Sequence, residues 1–149
     1  MHPQLPFIFS NDATQTFGSF WAGQNVLLLE VLRHLAAGPG EDRQIFLSGT
    51  SGSGKTHLLT AACERATRLG GRIAYLAAAS IVDAQVLTGL DDFDLVCIDD
   101  MQDLPSAPDT ELALFNLINS LRENEGRLLL AANCVSAELN IGLPDLKTR

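Results

Sequence analysis

Eight consecutive residues, Gly49-Thr50-Ser51-Gly52-Ser53-Gly54-Lys55-Thr56, place glycine first and sixth, lysine seventh and a hydroxyl eighth. This is the spacing of a loop that wraps a polyphosphate. Such a ligand needs several backbone N–H groups aimed at it from close range, and glycine lets the main chain turn that tightly without a Cβ in the way. Lys55 would reach the β- and γ-phosphates, and the Thr56 hydroxyl would ligate Mg²⁺. The four fixed positions would coincide by chance in a chain this long about once in two hundred sequences, so nucleotide binding anchors the reading. A second chemical signal is Asp94-Leu95-Val96-Cys97-Ile98-Asp99-Asp100, an apolar run ending in two carboxylates. Asp99 is the candidate for holding Mg²⁺ through water, and Asp100 for orienting the attacking water. The competing reading is a solvated strand end.

The elements that must position these groups are legible in order. Gln44-Ile45-Phe46-Leu47-Ser48 reads as a strand feeding the loop. Leu58, Leu59, Ala62 and Ala66 recur at helical spacing behind it, until Gly70. The helix offers its free N-terminal N–H groups and positive dipole end to the phosphates. Lys55 is expected to be an exposed charge. Arg72-Ile73-Ala74-Tyr75-Leu76 reads as a second strand, a weaker helix is expected over residues 79–87, and residues 95–98 form a third strand of the continuously apolar, doubly covered kind. Pro105 and Pro108 break the chain, and Asp109 is placed to cap a helix over residues 110–124, with Leu112, Phe115, Ile118 and Leu121 on its apolar face. Gly126 ends it. Arg127-Leu128-Leu129-Leu130-Ala131-Ala132 is a fourth strand, and Asn133 at its carboxyl end is either a hydrogen-bond donor to the γ-phosphate or attacking water, or an ordinary turn residue. The βα alternation implies a three-layer α/β fold with a parallel sheet of at least four strands.

The chain has 149 residues, 46% hydrophobic and 19% charged, which suits one globular domain over residues 13–149 behind a tail of residues 1–12. Ten Lys/Arg against eighteen Asp/Glu give a net charge of −8, a surface that repels nucleic acid, so direct DNA binding is not expected. Neither a membrane span nor a leader pattern is present in the sequence, which reads as cytoplasmic. Cys63, Cys97 and Cys134 are widely spaced, without the C-x-x-C pairing of a zinc or redox site, and read as buried structural thiols. In the tail, Gln4, Leu5 and Phe7 have the form of a peptide that docks in another protein's groove, or of a strap packed on its own domain. Phe17, Phe20 and Trp21 precede a helix over residues 24–37. Phe20 and Asn25 either contact an adenine or lie in a segment that plugs this helix onto the sheet.

The run Gly54-Lys55-Thr56-His57-Leu58-Leu59, the strand end Ile98-Asp99-Asp100 and the segment Asn140 to Arg149 together resemble the AAA+ domain of the bacterial replication initiator DnaA. The segment Asn140-Ile141-Gly142-Leu143-Pro144-Asp145-Leu146-Lys147-Thr148-Arg149 is most similar to the Hda-like regulators in that family. The resemblance covers nearly the whole chain. It implies a Walker A motif at residues 49–56, a Walker B motif at Asp99 and Asp100, a sensor-1 position at Asn133, and ATP or ADP with Mg²⁺ as cofactors. It makes Arg149 the counterpart of an arginine finger that completes a neighbouring subunit's ATP site. It implies the initiator DnaA and the DNA polymerase sliding clamp as partners, the clamp through Gln4, Leu5 and Phe7.

The family's sheet runs 5-1-4-3-2, and the chain stops at Arg149. The expectation is therefore a sheet lacking its fifth strand and a domain lacking its helical lid. The strand at Gln44 would then be an exposed edge, open to self-association or to cover by the tail, and intrinsic ATP hydrolysis would be doubtful. Two classes stay open: a regulator that promotes hydrolysis on the initiator, and a self-acting ATPase or helicase loader.

Overall fold

The apolar runs do become parallel strands with helices on both faces. The computed structural model describes residues 26–37, 44–50, 54–134, 136–139 and 145–147. In chain order these form α1 (Val26–Ala37), β1 (Gln44–Ser48), α2 (Lys55–Arg68), β2 (Ile73–Ala77), β3 (Leu95–Asp99), α3 (Pro108–Glu123), β4 (Arg127–Ala132) and β5 (Asp145–Lys147). The sheet order is β2-β3-β4-β1-β5, every pair parallel.

Each strand sends alternate residues to opposite cores. Ile45, Leu47, Leu95, Cys97, Leu129 and Ala131 meet α1 and α2 through Leu32, Leu35, Leu58, Leu59 and Ala62. Phe46, Val96, Ile98, Leu128 and Leu130 meet α3 through Leu114, Leu117 and Leu121. Because β1, β3 and β4 are buried throughout, they need no polar face, and each large side chain removed from water contributes about 1.5–3 kcal/mol. At the amino ends of the strands, the Arg127 guanidinium donates to the carbonyls of Leu35 (2.6 Å) and Ala36 (2.9 Å) and to that of Asp94 (3.2 Å). It thereby satisfies acceptors that the end of α1 leaves open. Burial pushes its pKa down.

Five expectations are corrected. The fifth strand is present: Phe46, Leu47 and Ser48 pair with Asp145, Leu146 and Lys147. β1 is therefore flanked on both sides, and the basis for self-association along it falls away. An Asp-Leu-Lys triplet has no β-branched or aromatic residue to announce a strand. The expected helix over residues 79–87 is instead a pair of 3₁₀ turns, Ala78–Ser80 and Ala84–Leu87. Between them the Asp83 carboxylate accepts from the Gln85 N–H at 2.8 Å, a local bond that competes with helix continuation.

Helix α3 begins at Pro108 with Ala107 as its uncapped N-cap. Proline lacks the N–H that a first turn leaves unpaired anyway, and Asp109 sits inside that turn. Its buried stripe is Thr110, Leu114, Leu117, Ile118 and Leu121, while Leu112 and Phe115 are each 60% exposed. Steps of three on a helix of 3.6 residues per turn drift by about 60° each, so a strict three-residue series leaves the core face. The helix ends at Glu123, Glu125 takes the left-handed conformation (φ 63°) and the Gly126 N–H closes on Leu121 O at 2.8 Å, where a Cβ on residue 126 would stand 2.6 Å from Leu121 Cδ2.

Candidate functional site

The phosphate-loop residues continue directly from β1. The Gly49 N–H donates to Ala132 O at 3.2 Å, so the loop starts beside the end of β4. At its other end Gly54 has φ 97°, a left-handed conformation that favours glycine, and its carbonyl accepts the Leu58 N–H to open α2. The first residue of α2 is Lys55. It is 7% exposed rather than free in solvent as the sequence suggested, and its Nζ donates to Gly49 O and Thr50 O at 2.8 Å each. Those two carbonyls face the helix start, where an ammonium with three donors bridges them. Thr50 is exposed and Gly49 half-buried. Ser51, Gly52 and Ser53 lie outside the described residues.

Thr56 and Asp99, 43 positions apart in sequence, meet directly. Thr56 Oγ1 donates to Asp99 Oδ2 at 2.6 Å. Tyr75 Oη donates to the same oxygen at 2.9 Å, and the Asp100 N–H donates to Asp99 Oδ1 at 2.9 Å. The carboxylate is 3% exposed and these three donors are all neutral. A threonine hydroxyl oxygen beside a buried carboxylate is the kind of oxygen ligand that a hard divalent cation takes, with bound phosphate supplying further ligands. Among the described residues no group of three or more His, Cys, Asp and Glu forms a metal cage, and a phosphate-bound Mg²⁺ needs none. The residues present therefore fit Mg²⁺.

Asp100 leaves the strand in a left-handed conformation, φ 55°. Its Oδ1 accepts from Gln102 Nε2 at 3.4 Å, while Gln102 Oε1 accepts the Asn133 N–H at 3.0 Å. One glutamine thus links the ends of β3 and β4 and brings the two sequence-predicted candidates Asp100 and Asn133 together. Asn133 is exposed. Phe20, Asn25, Arg149, Gln4, Leu5 and Phe7 lie outside the described residues.

Sequence reasoning missed Tyr75 and Gln102. Tyr75 carried a usable signal, being the polar-tipped residue of an otherwise aliphatic strand on the face that Asp99 shares. Burial, then the Asp99 charge, push its phenol pKa up, so the hydroxyl keeps its proton and remains a donor. On the same face Cys63 Sγ lies 3.5 Å from Cys97 Sγ, both free and buried as expected, and Cys134 is half-buried. Burial, then the Cys63 contact, push the Cys97 thiol up, which keeps it unreactive. A cleft of about 560 Å³ lies on the opposite face, lined by residues including Leu104, Leu114, Phe115, Ile118 and Leu139. It is not the phosphate loop.

A parallel sheet in the order 5-1-4-3-2, a phosphate loop after β1 and an acidic end to β3 define a P-loop α/β domain of the AAA+ type. Residues 11–149 match the sequence profile of the bacterial DnaA ATPase domain, and the chain belongs to that family. Among solved structures it is similar to a replication initiator DnaA bound to AMPPCP and single-stranded DNA. The TM-score is 0.83 and the identity 26%, over 93% of this chain and 50% of that one. AMPPCP-bound DnaA from Aquifex aeolicus gives 0.78 and 25% over the same shares. The DnaC helicase loader shares the fold at TM-score 0.70 and 15% identity, over 91% of this chain and 97% of that one. The chain spans about half the length of the first two DnaA chains. No helix among the described residues is long and apolar enough to cross a membrane.

Proposed function

We propose that this domain binds ATP or ADP with Mg²⁺ and regulates the initiation of bacterial DNA replication by promoting ATP hydrolysis on the initiator DnaA, in association with the sliding clamp. The observation that carries the nucleotide reading is the Thr56–Asp99 contact at 2.6 Å behind the phosphate loop, in a chain whose family includes AMPPCP-bound members. Residues 49–56 would cradle the phosphates, with Lys55 exchanging its two loop carbonyls for phosphate oxygens. Phe20 and Asn25 would contact the adenine. Thr56 would ligate Mg²⁺ and Asp99 would hold it through water; the ion neutralises charge on the phosphates when bound. Asp100 and Asn133, tied through Gln102, would orient a water or sense the γ-phosphate.

The regulatory part of the proposal rests on Arg149 and on the tail. An arginine stabilises a transferring phosphoryl group where its planar fork meets the equatorial oxygens, often from a neighbouring molecule. Gln4, Leu5 and Phe7 would dock on the clamp. A second reading, a helicase-loader ATPase acting by its own turnover, is supported by the fold shared with the DnaC loader. Single-turnover hydrolysis by ATP-bound initiator, with and without clamp and this chain, separates them. Clamp-dependent stimulation that falls by roughly 10³ in Arg149→Ala supports the regulator. Turnover by the chain alone, lost in Lys55→Ala, supports the loader.

A further inference from the structure

We propose that Tyr75 is a positioning residue for the cation site, holding the Asp99 carboxylate in place through Oδ2; this rests on the nucleotide and Mg²⁺ reading above. Asp99 has one rotatable plane to fix and three hydrogen bonds to fix it. The Asp100 N–H holds Oδ1, while Thr56 Oγ1 and Tyr75 Oη share Oδ2. Thr56 is itself a cation ligand in that reading, so its hydroxyl oxygen is committed to two tasks. Tyr75 is not. Its register partner on β3 is Cys97, and the hydroxyl reaches Asp99 one same-face position further along. The ring packs against the buried core beneath α2, which includes Leu58, Leu59, Cys63 and Cys97, so a rigid body seated on the sheet carries the donor. Side chains that orient a metal-binding carboxylate through its remaining lone pairs typically change metal affinity by tenfold to a hundredfold when removed.

Tyr75→Phe removes the hydroxyl and keeps the ring. Isothermal titration of ADP in excess EDTA should give the same affinity for both proteins within about twofold. Titration of Mg²⁺ into the ADP complex should show a midpoint about tenfold higher for the variant. In an Asp99→Asn background, Tyr75→Phe should shift that midpoint by less than twofold, because its effect acts through the carboxylate. A purely structural tyrosine would lower affinity in EDTA as well, or act equally in both backgrounds, and either result overturns the proposal. An unchanged Mg²⁺ midpoint overturns it too, while leaving the nucleotide reading intact. A wild-type chain whose ADP affinity ignores Mg²⁺ overturns both. Should Tyr75→Phe unfold, the chain's single tyrosine permits the test without substitution. 3-Fluorotyrosine gives one ¹⁹F resonance, which should move when Mg²⁺ joins the ADP complex of the Asp99 protein and stay fixed in Asp99→Asn. A resonance that never moves contradicts the proposal.

Discussion

On the α2 face of the sheet, β2, β3 and the start of α2 converge on a single carboxylate, with three hydrogen bonds of 2.6–2.9 Å around an atom group 3% exposed. On the α3 face β2 and β3 send only apolar side chains, Gln44 of β1 donates to Ile118 O at 2.7 Å and accepts from Arg122 Nη2 at 2.9 Å, and the surface opens into a cleft beside Leu104, Phe115 and Leu139. The difference arises at one strand end. Alternation along β3 sends Asp99 to the α2 face, and the left-handed turn at Asp100 then releases the chain, whose next polar contacts run sideways to Gln102 and Asn133. Three hydrogen bonds converge on one carboxylate where a charged ligand would sit, and the α3 face is mainly apolar mass against which that site is held. Substitutions on the two faces should therefore separate stability from ligand binding.

The largest expected effect is on the α3 face. Leu121→Ala removes a fully buried side chain packed against Gly126, and urea denaturation should show a loss of about 2–5 kcal/mol. ADP affinity of the remaining folded protein should stay within about twofold. On the α2 face the pattern reverses: Asp99→Asn should raise the Mg²⁺ requirement of ADP binding by tenfold to a hundredfold in a fluorescence titration, with affinity in EDTA unchanged. Gln102→Ala cuts the link between Asp100 and the Asn133 N–H, and should cost about 1 kcal/mol in denaturant. A protein in which Leu121→Ala weakens ADP and Asp99→Asn only destabilises would break the division between the faces.

Smaller effects sharpen the contrast. The Tyr75 phenol is held neutral in the fold, first by burial and then by Asp99. The unfolded chain releases that proton near pH 10. Its contribution to stability is thus complete below about pH 10 and is lost as pH rises beyond it, which denaturation at stepped alkaline pH would show. Replacing Tyr75 by Phe should flatten that segment of the profile. Leu112→Ser and Phe115→Ser, on the exposed side of α3, should each change stability by no more than about 0.5 kcal/mol.

How far the sequence reached depended on the kind of signal each element carries. β1, β3 and β4 were readable because double burial demands unbroken apolar runs, and the meeting of Thr56 at the start of α2 with Asp99 at the end of β3 because the loop motif and the acidic strand end are both visible in the sequence. β5 was invisible, since Asp145, Leu146 and Lys147 are recruited by the open edge of β1 rather than by their own propensity. The buried position of Lys55 was misjudged for a related reason, as its partners are loop carbonyls with no side-chain signature. Tyr75 and Gln102 act across the sheet, and their roles depend on the register of β2 on β3 and on the turn at Asp100.

The most direct test of a phosphate-binding loop at residues 49–56 is calorimetric titration of Mg²⁺·ADP into the wild-type chain and into Lys55→Ala. The substitution removes two hydrogen bonds from a buried ammonium, so a stability loss of about 1–3 kcal/mol is expected, with the fold retained by circular dichroism. The wild type should give a saturable one-to-one heat, and the folded Lys55→Ala protein should give none. Wild-type affinity in Lys55→Ala, or no binding heat in either protein, would contradict a phosphate site at this loop.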